Sequence, residues 1–231
     1  MKQIARACGM VLLAVLILGG GGWWYYRAND GLHRRGRNSP LDRRSAELYA
    51  ALQSGDTQSI DRILTQQPKL LYARFGSDGT VLHVASRYNH PEAIKLLLGW
   101  GVDVSDANGR YRATPLHSAA LWGSKEAAAE LIKDGAAVDA QAAFGTPLRW
   151  AVRGADLRRN PKADYGAVVR LLLDAGADAN GGDGQGWSAT LEENNPAVTA
   201  LLKAHGARLT PLAVESTDQS ASSKLAFGEK R

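Results

Sequence analysis

Thr114-Pro115-Leu116-His117, followed by Ser118-Ala119-Ala120 and the turn Gly123-Ser124-Lys125-Glu126, has two relatives within this chain. Thr80-Val81-Leu82-His83 lies 34 residues before it and Thr146-Pro147-Leu148 lies 32 after it. Each is followed by small residues: Val84-Ala85, Ser118-Ala119-Ala120 and Ala151-Val152. An apolar run comes next, at Leu96-Leu97-Leu98, Leu131-Ile132 and Leu171-Leu172-Leu173. Each unit then closes on glycine, at Gly101-Val102-Asp103, Gly135-Ala136-Ala137 and Gly176-Ala177-Asp178. Several elements recurring in fixed order at one period define a repeat protein.

The physical reading is a helix pair per unit. Thr114 caps a helix N-terminus and Pro115 takes the first helical position, where its missing N–H costs nothing. Ala119 and Ala120 allow neighbouring helices to approach closely. Ala93, Ile94, Leu96 and Leu97 make one apolar helix face. Gly101 ends that helix in a left-handed conformation. No unit buries its face alone, so the units must stack.

The pattern resembles the ankyrin-repeat family, over about Ser45–Leu212. The resemblance implies an all-α solenoid of about five helix-turn-helix repeats. It also implies that His83 and His117 belong to the turn and hydrogen-bond backbone. The ends depart from the motif as caps do. Ala46–Leu52, Gly55-Asp56 and Ile60–Leu64 give a helix pair without the Thr-Pro-Leu-His opening. Gly186–Ala189, Asn195-Pro196 and Ala200–Leu202 give a degenerate last repeat, with Glu192–Asn195 as its polar outer face. The Thr146 repeat carries about nine extra residues between its helices, near Ala155–Ala163. Arg158, Arg159 and Lys162 make this insertion basic, and it reads either as a surface loop or as a partner contact.

The expected organisation has four parts: a membrane segment at 1–27, a basic linker at 28–44, the repeat domain at 45–212 and a disordered tail at 213–231. Ala7–Tyr26 combines an apolar run with the aromatic quartet Trp23–Tyr26, as one transmembrane helix with an interfacial belt would. An uncleaved anchor, a cleaved signal peptide and a segment unrelated to membranes all remain open. The arginines after Tyr26 favour a cytoplasmic body, but a short basic start, Lys2 and Arg6, is how exported chains begin, and an exported (periplasmic or extracytoplasmic) body is expected. The +5 formal charge is concentrated in this leader, which is +6 before residue 45, whereas residues 45–212 sum to −1. A nucleic-acid partner would want a basic stripe on the folded part, so none is expected.

Chemistry is scarce. The single cysteine, Cys8, forms no disulfide framework. The five histidines have no metal-ligand spacing. Gly182–Gly186 lacks the lysine and Ser/Thr of a phosphate loop, and no nucleophile motif occurs. No catalysis, cofactor or metal is expected. Binding remains, and the resemblance implies a concave surface of turn tips and inner helices. Its candidate residues are Ser77, Asp78, Arg110, Tyr111 and Arg112 on the turns, and Arg87, Tyr88, Leu121, Trp122 and Arg153 on the helices. Arg, Tyr and Trp are the types enriched at binding hot spots. Trp122 reads either as an anchor or as packing against Trp150 or Arg87. The expected function is a membrane-tethered or exported scaffold for a partner protein. The alternative is an inhibitor, immunity or chaperone-like partner of a single exported enzyme.

Overall fold

The computed structural model describes residues 40–107, 110–180, 187–188 and 195–210. The proposed membrane segment and the tail at 213–231 lie outside the described residues. Two units are distinguished, Met1–Ala46 and Glu47–Arg231, and the repeats belong to the second.

Among the described residues there are nine α-helices. They are α1 (Pro40–Ser54), α2 (Thr57–Gln66), α3 (Val81–Arg87), α4 (Pro91–Gly99), α5 (Pro115–Trp122), α6 (Lys125–Lys133), α7 (Pro147–Asp156), α8 (Tyr165–Asp174) and α9 (Pro196–Ala204). Two two-residue strands, Trp187–Ser188 and Leu209–Thr210, pair in parallel. The expected all-helical stack is therefore present, with this one short pairing added. The helix α1 starts at Pro40, so the last five residues of the stretch expected as a basic linker are helical. Proline at a helix start costs no hydrogen bond, and Leu48, Ala51 and Leu52 bury the same helix further on.

Two columns run through the stack. The inner helices pack α3 on α5 on α7, and the outer helices pack α2, α4, α6, α8 and α9 in succession. The inner contacts are close because Ala85, Ala119, Ala120 and Ala151 are fully buried. Leu82, Leu116 and Leu148 fill the layer beneath them, and Ile94, Leu97, Leu131 and Leu172 fill the outer one, all without exposure.

Four of the five outer helices, α4, α6, α8 and α9, end in the same way, whereas α2 is capped by Gln67 with φ −138°. Gly101, Gly135, Gly176 and Gly206 have φ between 82° and 91°. The next amide in each case donates back to a leucine carbonyl, Leu97, Leu131, Leu172 or Leu202. This is the left-handed helix stop with its six-to-one hydrogen bond, which satisfies an otherwise orphaned carbonyl.

The helices α1, α3 and α5 are closed differently, by the following repeat. His90 Nε2 donates to the Gln53 carbonyl at 2.9 Å. The Ser124 hydroxyl donates to the Arg87 carbonyl at 3.0 Å. The Tyr165 hydroxyl donates to the Leu121 carbonyl at 3.1 Å, and Asn160 Nδ2 to the Trp122 carbonyl at 3.3 Å. The acceptors are last-turn carbonyls, which have no partner within their own helix.

The insertion follows from helix starts. Inner and outer starts are ten residues apart at Val81 and Pro91 and at Pro115 and Lys125, but eighteen apart at Pro147 and Tyr165. The extra length is thus eight residues, one fewer than the sequence spacing suggested. Part of it lengthens α7 to Asp156, and the rest forms the loop to Asp164.

Candidate protein-binding cleft

The threonines set a register for the whole inner face. Two residues before each stand Asp78, Arg112 and Phe144, at the turn tips. Seven and eight residues after each stand Arg87 and Tyr88, Leu121 and Trp122, and Arg153 and Gly154, at the ends of α3, α5 and α7. Stacking the helices brings these two rows together.

The turns are held by the threonine–histidine pairs. Thr114 N–H and Oγ1 meet His117 Nδ1 at 3.1 and 2.8 Å, and His117 Nε2 meets the Gly145 carbonyl of the next turn at 3.1 Å. His83 repeats this, with Thr80 Oγ1 at 2.8 Å and the Ala113 carbonyl at 2.8 Å. A carbonyl accepts only, so Nε2 carries the proton and Nδ1 accepts, the neutral ring. Burial lowers both histidine pKa values, that of His117 to about 4. The role that the resemblance implied for the two histidines is the one observed. In the Thr146 repeat Arg149 takes the histidine's place and reaches the Asn180 carbonyl at 3.4 Å. Thr146 Oγ1 is left buried without a hydrogen-bond partner among the described residues.

The middle turn differs in its backbone. Gly79 and Gly145, before their threonines, have φ of 86° and 88°. Ala113 stands at that place in the middle repeat, and the left-handed conformation moves to Tyr111 (φ 64°) and Arg112 (φ 60°). Non-glycine residues hold it at a cost of order 1 kcal/mol or more each. The Tyr111 carbonyl is pinned by the Ala143 amide at 3.0 Å, and its ring sits edge-on to Phe144 with centroids 4.8 Å apart. Both rings are 43% exposed.

Between the turn tips and the helix ends lies an open cleft of about 360 Å³. Tyr111, Phe144 and Trp122 wall it, with Arg87, Arg153 and Arg159. Asp78 also lines it, but its carboxylate is engaged twice: one oxygen takes the Tyr49 hydroxyl at 2.7 Å, the other an ion pair with Arg87. Arg87 in turn lies 4.1 Å above the Trp122 ring centroid. Arg153 lies 4.9 Å from the Phe144 centroid. Beneath, Trp150 is 6% exposed, packs edge-on to His117 at 5.2 Å, and its Nε1–H has no acceptor among the described residues.

Of the candidate residues, Ser77, Asp78, Arg87, Tyr111, Leu121, Trp122 and Arg153 come together in this cleft. Tyr88 lies beside it, 3.4 Å from the Tyr49 hydroxyl and 3.2 Å from Gln53 Nε2, and lines a neighbouring groove of about 640 Å³. Arg112 is an exposed turn residue and is not among the lining side chains. The Arg110 side chain lies outside those described. Trp122 is half-buried and packs against Arg87, one of its two expected neighbours, whereas Trp150 faces His117 and Phe144. Trp100 is tied across repeats, its Nε1 donating to Asp61 at 3.1 Å.

Phe144 was missed in the sequence reading, although its register matched that of Asp78 and Arg112. The insertion belongs to the same surface. Arg159 lines the cleft, and Arg159–Asp164 form the far wall of the groove shared with Tyr88 and Trp122. Gly154 makes this arrangement possible. It occupies the position of Tyr88 and Trp122, and a Cβ there would stand 2.3 Å from the Leu121 carbonyl oxygen and 2.7 Å from the Tyr165 ring. A small residue admits Tyr165 where an aromatic one would exclude it. Among the described residues no helix is long and apolar enough to cross a membrane, and no cluster of metal-ligating side chains occurs.

A repeat stack whose exposed aromatic and arginine side chains converge on the inner face is the form of a binding module. Residues 48–142 match a family model of ankyrin repeats in three copies. Similar proteins include a transient receptor potential cation channel subfamily A member 1 homolog of Caenorhabditis elegans, 28% identical over 144 residues, which is 62% of this chain and 11% of that one. Mouse protein phosphatase 1 regulatory subunit 12A is 45% identical over 58 residues, 24% of this chain and 5% of its own. Human NAD-capped RNA hydrolase NUDT12 is 34% identical over 82 residues, 36% of this chain and 18% of its own. The chain spans less than a fifth of the length of each of these relatives.

Proposed function

We propose that this chain is a non-catalytic scaffold that holds a partner protein in the cleft between the Thr114 and Thr146 repeats, with Ala7–Tyr26 tethering it to a membrane. The observation that carries the reading is the convergence of Tyr111, Trp122, Phe144 and three arginines from successive repeats on one open surface. Such rings give large contact area with few rotatable bonds, and arginine supplies directional hydrogen bonds. The likeness to a phosphatase regulatory subunit supports a role in binding.

The test is affinity capture on the full-length chain in detergent, comparing wild type with Trp122→Ala and Phe144→Ala. A partner lost from both variants supports the cleft. A partner retained by both places the contact elsewhere. For the tether, the chain should stay in the carbonate-washed membrane fraction. An N-terminus beginning at Trp23 would replace the anchor by a cleaved signal peptide. The exported orientation of the body is tested by a reporter fused after residue 45, and activity confined to the cytoplasm reverses it. Recovery of one exported enzyme as sole partner would narrow the scaffold to a dedicated inhibitor or chaperone.

A further inference from the structure

The cleft's charge is unbalanced in a body that is balanced. Residues 45–212 sum to −1, yet the cleft is lined by Arg87, Arg153 and Arg159 against the single acid Asp78. Asp78 is already committed to Arg87 and to the Tyr49 hydroxyl. Arg153 and Arg159 are exposed and form no ion pair among the described residues. The two remaining guanidinium groups thus present donors with no carboxylate paired to them among the described residues. They stand around a wall of aromatic rings, two of which are 43% exposed. A basic or neutral partner would leave those donors uncompensated where the partner excludes water, and that is costly. A carboxylate answers both, because guanidinium and carboxylate match as a two-pronged pair.

We propose that the cleft selects an acidic segment of the partner protein, with an apolar or aromatic side chain seated among Tyr111, Trp122 and Phe144 and flanking carboxylates held by Arg153 and Arg159. The inference rests on the scaffold reading and gives that partner its chemistry. The insertion thereby acquires a purpose: it carries Arg159 to the cleft and makes selection depend on a loop the other repeats lack. The Asp78–Arg87 pair holds the third guanidinium over the Trp122 ring, so that Arg87 serves as part of the aromatic wall.

The experiment uses full-length protein in detergent and fluorescently labelled nonapeptides with a central phenylalanine flanked by glutamates, glutamines or lysines. Anisotropy should show the glutamate peptide binding at least about tenfold more tightly than the glutamine peptide, with the lysine peptide weakest. The double variant Arg153→Glu, Arg159→Glu should reverse the order of glutamate and lysine peptides. Both arginines are exposed, and an unchanged circular dichroism spectrum establishes that the variant folds. Replacing the central phenylalanine by serine should weaken the glutamate peptide. Equal binding of glutamate and glutamine peptides, an unreversed preference in the variant, or no binding of any peptide overturns the proposal. Displacement of the glutamate peptide by a single-stranded oligonucleotide at equal charge would show a general polyanion site and overturn it too. A partner captured through Trp122 without any acidic preference would refute this inference and leave the scaffold reading standing. Capture insensitive to Trp122 and Phe144 would remove both.

Discussion

The guanidinium of Arg87 lies 4.1 Å above the ring of Trp122, one repeat further along the stack, and Asp78 holds it there from the turn that opens its own repeat. One face of the indole is therefore covered by the protein itself, and the ring remains half-buried at the edge of the cleft. Trp122→Ala should weaken partner binding by about 2 kcal/mol or more, the size of a hot-spot loss. Chemical denaturation should show a far smaller change in stability. A variant that unfolds would instead assign Trp122 to the core.

The two buried histidines make the stack sensitive to acid. Burial pushes their folded-state pKa values below the ordinary value of 6.5, for His117 to about 4. The unfolded chain therefore takes up protons first as pH falls. Their contribution is complete above about pH 6.5 and is lost progressively down to about pH 4, where folded His117 begins to titrate. For His117 alone the loss is on the order of 3 kcal/mol. Urea midpoints measured between pH 7 and pH 4.5 should fall, and the slope should shrink by about one proton in His117→Gln. A slope unaltered by that substitution would show that His117 is not the titrating group.

Thr114 and Thr146 occupy the same place in consecutive repeats and differ in one hydrogen bond. Thr114 Oγ1 pairs with His117 at 2.8 Å, whereas Thr146 Oγ1 is buried without a hydrogen-bond partner among the described residues. Thr114→Val should cost about 1 kcal/mol, as the loss of a helix-capping hydroxyl does. Thr146→Val should be neutral or stabilising, because it removes an unsatisfied buried group. Equal losses in thermal unfolding would count against this difference.

Gly154→Ala sets a Cβ against the Leu121 carbonyl and the Tyr165 ring. Overpacking of this kind costs about 1–3 kcal/mol. Tyr165→Phe removes the hydroxyl that reaches the Leu121 carbonyl and should cost about 1 kcal/mol with the packing intact. If Gly154→Ala left stability unchanged, the close approach of α5 and α7 would not be required.

The repeats were legible because their local signals agree. Threonine cap, proline at the first helical position, small inner residues and closing glycine all specify one geometry, and each was found where the sequence placed it. The start of α1 was not legible, because Pro40 reads as a breaker inside a basic stretch but serves equally as a helix opener. The cleft was legible only in part. The family resemblance pointed to Arg87, Leu121, Trp122 and Arg153, which stand seven or eight residues after their threonines. Phe144 shares a register with Asp78 and Arg112, yet three such unlike residues give no repeated residue type to notice. The cleft's dependence on the insertion was also hidden, since only the stack brings Arg159 beside Trp122.

The bonds that close the inner helices all point one way along the chain. His90, Ser124 and Tyr165 each reach back to a carbonyl of the repeat before them, so three successive repeats are each finished by their successor. The stack therefore has a grain. Cutting repeats from the C-terminal side bares carbonyls at a helix end, whereas cutting from the N-terminal side leaves the helix ends sealed and bares a turn carbonyl instead, that of Ala113 or Gly145. Synthesis runs with the grain: as the chain leaves the ribosome, each new turn arrives in time to seal the helix already made.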